Sequence, residues 1–164
     1  GIARERAIEA SSSQTATQAT EKAKAPIRTV KKISVRAGGL IDCVTFFDKE
    51  NRVICKAGGN GGDQQEDFVL GDNETIVKIT QKHGDSLDSI TFHTNLGRSK
   101  KYGGDGGSKV GHFSVASADT EMIVGVRRNE SNFCGEVTGI IVERIKERNS
   151  SDCEELSSVE ESKE

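Results

Sequence analysis

The chain repeats itself, and the repeat constrains its fold more than any other feature. The run Ile33-Ser34-Val35-Arg36-Ala37-Gly38-Gly39-Leu40-Ile41-Asp42-Cys43-Val44-Thr45-Phe46 lies over Ile79-Thr80-Gln81-Lys82-His83-Gly84-Asp85-Ser86-Leu87-Asp88-Ser89-Ile90-Thr91-Phe92 without a gap, at an offset of 46. A glycine cluster follows each copy, Gly58-Gly59-Asn60-Gly61-Gly62 and Gly103-Gly104-Asp105-Gly106-Gly107, at an offset of 45. Repetition at this period marks two copies of one supersecondary unit. A weaker third copy runs through Ile123-Val124-Gly125-Val126 and Val137-Thr138-Gly139-Ile140-Ile141-Val142, with Glu136 placed 48 residues after Asp88. Three similar units imply packing around one core with pseudo-threefold symmetry.

The units read as strands. Ile33 to Ala37, Val44 to Phe46 and Ile76 to Ile79 alternate apolar with polar residues, each bounded by Gly, Asp or Asn. Between residues 28 and 146 there is no sustained helical period, so the middle of the chain is expected to be all-β. Residues 1–27, an Ala/Ser/Thr/Lys tract with few aliphatics ending near Pro26, are expected to form a flexible or partly helical tail. Residues 147–164 are expected to form a disordered acidic one. A chain of 164 residues has room for one such domain and its tails.

Several function classes are disfavoured by composition. A net charge of -3 with mixed signs gives no basic footprint for nucleic acid. No apolar run reaches the roughly 18 residues of a membrane span. Cys43, Cys55, Cys134 and Cys153 lack zinc-type spacing. Gly58 to Asp63 fits one GGxGxD calcium nonapeptide, but that motif works in tandem copies nine residues apart, and the second cluster ends in Ser108. Gly103 to Lys109 lacks the phosphate-loop spacing. His83, His93 and His112 are read as strand or surface residues, and no nucleophile–base or paired-acid arrangement is apparent. Neither a metal nor a cofactor is expected, and the chain is not expected to be an enzyme.

The run from Cys43 to Cys55 suggests a hairpin turning at Asp48-Lys49-Glu50. If Phe47 pairs with Asn51, Cys43 faces Cys55, an arrangement compatible with either a cross-strand disulfide or two free thiols. That pair and the sequons at Asn73, Asn129 and Asn149 lean towards a secreted protein.

Taken in order, the Gly-x-x-x-Asp loop, the strand ending in Thr91-Phe92-His93-Thr94-Asn95-Leu96-Gly97-Arg98 and the stretch Tyr102-Gly103-Gly104-Asp105-Gly106-Gly107 resemble the jacalin-related lectins over about 115 residues. The resemblance implies a β-prism of three four-stranded antiparallel sheets that binds sugar at one end. It implies two sites. One comprises Gly84, Asp85, Ser86, Leu87 and Asp88 with Tyr102, Gly103, Gly104 and Asp105. The other comprises Gly38, Gly39, Leu40 and Asp42 with Gly59 and Asn60.

The chemistry of such a pairing stands without the family. Sugar hydroxyls come as vicinal pairs, and an ionised Asp accepts two hydrogen bonds worth roughly 1.5–3 kcal/mol each. Glycine lets backbone N–H groups approach the ring unobstructed.

Departures from the pattern rank the sites. Gly39 stands where the second copy has Asp85, and Ser86 and Leu40 stand where many relatives place an aromatic. Arg127 to Glu136 lacks the Gly-Asp-x-x-Asp pattern, and residues 1–32 contain no Gly-Gly to pair with it. The galactose-preferring relatives need an amino terminus cut within a glycine segment that is missing here, so the resemblance implies mannose- or glucose-type glycans. The expected partners are glycans or glycoproteins, with a homo-oligomer as one route to avidity. The alternative is a degenerate prism acting as a protein-interaction or targeting module.

Overall fold

The structure is a computed structural model and describes residues 28–145. Eleven strands follow one another: β1 (Lys32–Ala37), β2 (Ile41–Phe47), β3 (Val53–Gly58), β4 (Asp63–Gln64), β5 (Phe68–Val69), β6 (Ile76–His83), β7 (Leu87–Thr94), β8 (Ser99–Gly103), β9 (Lys109–Ser114), β10 (Glu121–Arg128) and β11 (Val137–Arg144). All pairings are antiparallel. No helix occurs among the described residues. Both expected tails lie outside them.

The repeat becomes three hairpins. In the first unit β3-β2-β1 pair in that order, and the short strands β4 and β5 share the far edge of β1. In the second, β8-β7-β6-β9 form a regular four-stranded sheet. The third has β10 and β11 among the described residues, tied to the second by the bridge Ile123↔Ile76. This is the all-β, pseudo-threefold arrangement of a β-prism.

The offset of 46 is kept in the register. Ile33 pairs with Phe46 as Ile79 pairs with Phe92. Alternate residues of each hairpin therefore reach the shared core, where Phe46 and Phe92 meet edge to face at 6.0 Å. Where the first copy has Val35, the second has Gln81, also buried. Its amide donates to Val137 O and accepts from Val137 N, at 3.0 and 2.9 Å. A buried amide is satisfied in this way by clamping the second unit to the third.

A β-bulge sits at the same place in all three hairpins. Arg36 pairs with Cys43 but Ala37 with Ile41, Lys82 with Ser89 but His83 with Leu87, and Arg127 with Gly139 but Arg128 with Val137. Asp42, Asp88 and Thr138 are the residues left out. The third position is therefore Thr138 rather than Glu136, because the β10–β11 loop runs from residue 129 to 136 where the others have three residues.

The expected pairing of Cys43 with Cys55 is not found. Cys43 pairs with Gly58 and Cys55 with Phe46, and both thiols are free. The turn extends to Arg52, since Asp48 accepts from the N–H groups of Glu50 and Arg52, and Asp48 N donates to Arg52 O. That longer turn, with Asn51 at φ 65°, slides β3 along β2. Three residues of slip separate the two cysteines by about 10 Å, too far for a disulfide.

At the opposite end from the bulges, Arg98 closes the second unit. Its guanidinium grips the buried Glu74 carboxylate at 2.8 and 2.9 Å and donates to Val69 O. Hydrogen bonding from Arg98, followed by that from the Gly71 N–H, holds Glu74 down at about 2 despite its burial. A carboxyl whose pKa is lowered on folding stabilises above its ordinary value of 4.5, and loses that contribution as pH falls towards 2. Arg98→Ala is expected to lower unfolding free energy at pH 7 by about 1–3 kcal/mol, discounted because the arginine is half-exposed. The difference from wild type should narrow between pH 4.5 and 2. Urea titrations across that range check this, and a gap constant with pH would contradict it.

Candidate functional site

The three hairpin loops gather at one end of the molecule, and two of the bulged residues face a glycine cluster. Gly104 N donates to Asp88 O at 3.0 Å, and Gly59 N donates to Asp42 O at the same distance. The predicted pairings of Asp42 with residues 58–62 and of Asp88 with residues 103–107 are both present.

Each carboxylate is wedged where side chains would have to be. A Cβ on Gly106 would lie 2.8 Å from Asp88 Oδ1, and one on Gly107 2.9 Å from Oδ2. The matching distances at Gly61 and Gly62 are 2.6 Å to Asp42 Oδ1 and 2.3 Å to Oδ2. The cluster is thus glycine-rich because the bulge directs an Asp into it. Gly103, at φ +100°, would bring a Cβ within 2.3 Å of Asp88 O.

The backbone of the second site is preset as well. Gly84 N donates to Ser86 O at 3.1 Å, turning the loop tightly, and Gly38 N does the same to Leu40 O in the first site. Lys82 Nζ reaches Asp105 O at 3.2 Å, while Arg36 donates to the carbonyls of Gly61 and Gly62. In both units a basic residue just before the bulge ties the glycine loop to the hairpin.

Not every predicted residue points to the site. Leu87 is wholly buried, and its N–H donates to Cys134 O. Tyr102 pairs with Ile90 and so turns inward onto Phe92, its hydroxyl donating to Glu66 O at 2.6 Å. Burial raises that phenol above its ordinary range. Of the other predicted residues, Asp85, Gly103 and Asp105 are exposed and Gly84, Ser86, Asp88 and Gly104 half-buried, while Gly38, Gly39, Gly59 and Asn60 are exposed, Leu40 half-buried and Asp42 buried.

The long loop 129–136, which the repeat did not foretell, makes the two sites unequal. Cys134 lies over the first, with Sγ 3.6 Å from Asp42 Oδ1, and Asp42 is only 9% exposed. Burial first, then the neighbouring Asp42, raises the Cys134 thiol above its usual range. The Phe133 ring stands beside Gly61 and is 78% exposed. Beneath, the Arg128 guanidinium donates to the carbonyls of Ile41, Asp42, Ala57 and Gly135 and pins the loop to the first unit. The same loop supports the second site from the side, through Asn132 Nδ2 donating to Asp85 O and Ser86 Oγ donating to Asn132 Oδ1. Asp88 itself remains only half-buried. Gly39 in place of an Asp marked the first site as the thinner one, but the crowding by this loop had no sequence signal beyond the loop's extra length.

Glu136 accepts from Asn129 Nδ2, so it faces its own loop. The same bonds hold the amide of the Asn129 sequon, while Asn73 is exposed; Asn149 and Cys153 lie outside the described residues. Among the described residues no helix is long and apolar enough to cross a membrane, and no group of His, Cys, Asp and Glu is arranged to hold a metal ion.

The glycine geometry predicts two different substitution outcomes. Gly103→Ala puts a side chain on a positive-φ residue and against backbone, so it is expected to cost about 1–3 kcal/mol or more. Gly84→Ala meets nothing within 4 Å and should leave stability within about 0.5 kcal/mol of the parent. Thermal melting of both variants checks this, and equal melting points would contradict it.

Comparison with known proteins agrees with this architecture. The family model described as a jacalin-like lectin domain matches residues 12–134. Griffithsin from Griffithsia sp. is 35% identical over 84 residues, which cover 51% of this chain and 64% of that protein, so the chain spans less than two thirds of this relative. Among solved structures, a prostate-specific WGA16 glycoprotein lectin superposes with a TM-score of 0.57 at 24% identity, covering 72% of this chain and 83% of that one. Artocarpin, solved with Me-alpha-mannose, gives 0.57 at 16% identity, covering 71% and 85%. These structures share the fold. With the family model matching most of the chain, the protein belongs to the jacalin-like lectin domain family.

Proposed function

We propose that residues 28–146 form a glycan-binding domain for mannose- or glucose-type sugars, that the loop 84–88 with the cluster 103–107 is its principal site, and that it binds without catalysing a reaction. The observation that carries this reading is the Asp88 carboxylate. It is held out of the ladder by a bulge, set against glycines that leave its flank open, and not hydrogen-bonded to any protein donor among the described residues. An ionised carboxylate in that position accepts two vicinal hydroxyls, while the neighbouring glycines let the ring approach the backbone. Artocarpin, which shares the fold, is known in complex with Me-alpha-mannose.

The first site supports a weaker role. Cys134 and Phe133 crowd Asp42, so a sugar there must reach a carboxylate already contacted by a thiol. This crowding is also the observation that favours the second reading, a protein-interaction role, for that site alone. A shallow loop site buries few ligand atoms, and a monosaccharide Kd of about 0.1–10 mM follows. Avidity would then come from both sites on one branched glycan, or from a homo-oligomer or longer chain.

The variants rank accordingly. Asp88→Ala removes about 2–4 kcal/mol from a site worth little more and should abolish measurable methyl mannoside binding there. Asp42→Ala should cause a smaller loss of avidity for branched glycans, and Glu136→Ala should cause none. Glycan-array binding and calorimetry check the order. The reading fails if Glu136→Ala weakens binding as much as Asp88→Ala while both melt like the parent, or if galactosides bind and mannosides do not.

A further inference from the structure

The outward face of the second unit has no counterpart in the sugar site. Buried Ile79 and Gln81 of β6 point inward, which turns Lys78, Thr80 and Lys82 outward. The register extends this face across four strands. Thr80 stands between His112 of β9 and Thr91 of β7, and Thr91 in turn pairs with Lys101 of β8. Lys78 is flanked by Ser114 and His93 in the same manner, and Lys82 by Val110 and Ser89.

None of the twelve positions in these three rows is Asp or Glu. Lys78 and Lys82 stand about 13 Å apart along one strand, and Lys101 lies two strands, or about 10 Å, to the side. Between Lys82 and Lys101 is a shallow depression of about 230 Å³ walled by hydroxyls of Thr80, Ser89 and Thr91. The one carboxylate touching these lysines among the described residues is that of Asp105, 3.3 Å from Lys101 Nζ and 99% exposed. An exposed pair of this kind is screened and contributes little. A protein with net charge -3 thus gathers three lysines on one hydroxyl-bearing sheet, only one of them paired with a carboxylate among the described residues.

We infer that this face is a docking surface for a sulfated polysaccharide. Sulfate esters spaced along an extended chain match separated lysine ammoniums, and the intervening hydroxyls can donate to ester oxygens. The face also adjoins the Asp105 loop, so it continues from a surface already suited to carbohydrate. A lipid bilayer is the poorer match because Val110 is the sole large apolar side chain on the face. Lys82 and Lys101 also touch the Asp105 loop of the Asp88 site, so Lys78, which does not, separates this test from methyl mannoside binding.

The experiment measures binding of a heparin-derived oligosaccharide by fluorescence anisotropy across a salt series. The variant K78Q/K82Q/K101Q is expected to weaken binding by about tenfold or more and to lower the slope of log Kd against log salt by about 2–3, since each lost cation contact releases fewer counterions. Removing an equal charge elsewhere, with K49Q/K56Q/R127Q, is expected to change Kd by less than about twofold. The single variant K78Q, which touches neither glycine loop, should show a loss of about two- to threefold and an unchanged melting point. Equal losses in both triple variants would overturn the inference by making the attraction non-specific. No heparin binding by the parent would overturn it too, and phosphatidylserine vesicles binding through the same lysines in its place would assign the face to membranes.

Discussion

The site depends on one backbone irregularity, the bulge that closes each hairpin. A regular antiparallel ladder would place Asp42 and Asp88 in alternation with their neighbours, paired across the strand and facing core or solvent. The bulge leaves each unpaired and redirects it along the strand end. The glycine clusters are the other half of the same constraint, because the carboxylate oxygens come within 2.3–2.9 Å of where four of their Cβ atoms would be. Neither half is useful alone. A bulged Asp without glycines would clash, and a glycine loop without the Asp would have no charged acceptor to present.

Symmetry makes this arrangement available three times, and the chain uses it unequally. The second unit keeps both halves with an open flank. The first keeps both but lies under Cys134 and Phe133. The third has Thr138 at the bulge and no glycine partner among the described residues. In its place the end of β10 and the long loop 129–136 brace the other two, through Arg128 and Cys134 on the first unit and Asn132 on the second. The long loop thus occupies the third position and contacts both of the other two hairpins.

How much could be read from the sequence follows from what repeats in it. The equal offset of hairpins and glycine clusters identified Asp42 and Asp88, their partners, and the all-β threefold plan. What did not repeat was not legible. The β2–β3 register depended on Asp48 capping a turn as far as Arg52, so Cys55 came to face Phe46 instead of Cys43. Tyr102 sits one residue before a glycine that borders the site, but strand alternation, set by its pairing with Ile90, turns it into the core. The cap on Asp42 arises from residues more than ninety positions away, in a loop whose only mark was its length.

In the proposed function a sugar contacts the Asp88 loop and the cluster 103–107 ahead of the Asp42 loop. Backbone amide NMR of the isotopically labelled chain, titrated with methyl α-mannoside to tens of millimolar, reports on that contact residue by residue. Saturable shifts are expected for the amides of Gly84 to Asp88 and Gly103 to Gly107 at the lowest concentrations, with residues 38–42 and 58–62 responding later and less. Shifts confined to the Asp42 loop, or spectra unmoved across the whole titration, would contradict the proposed function.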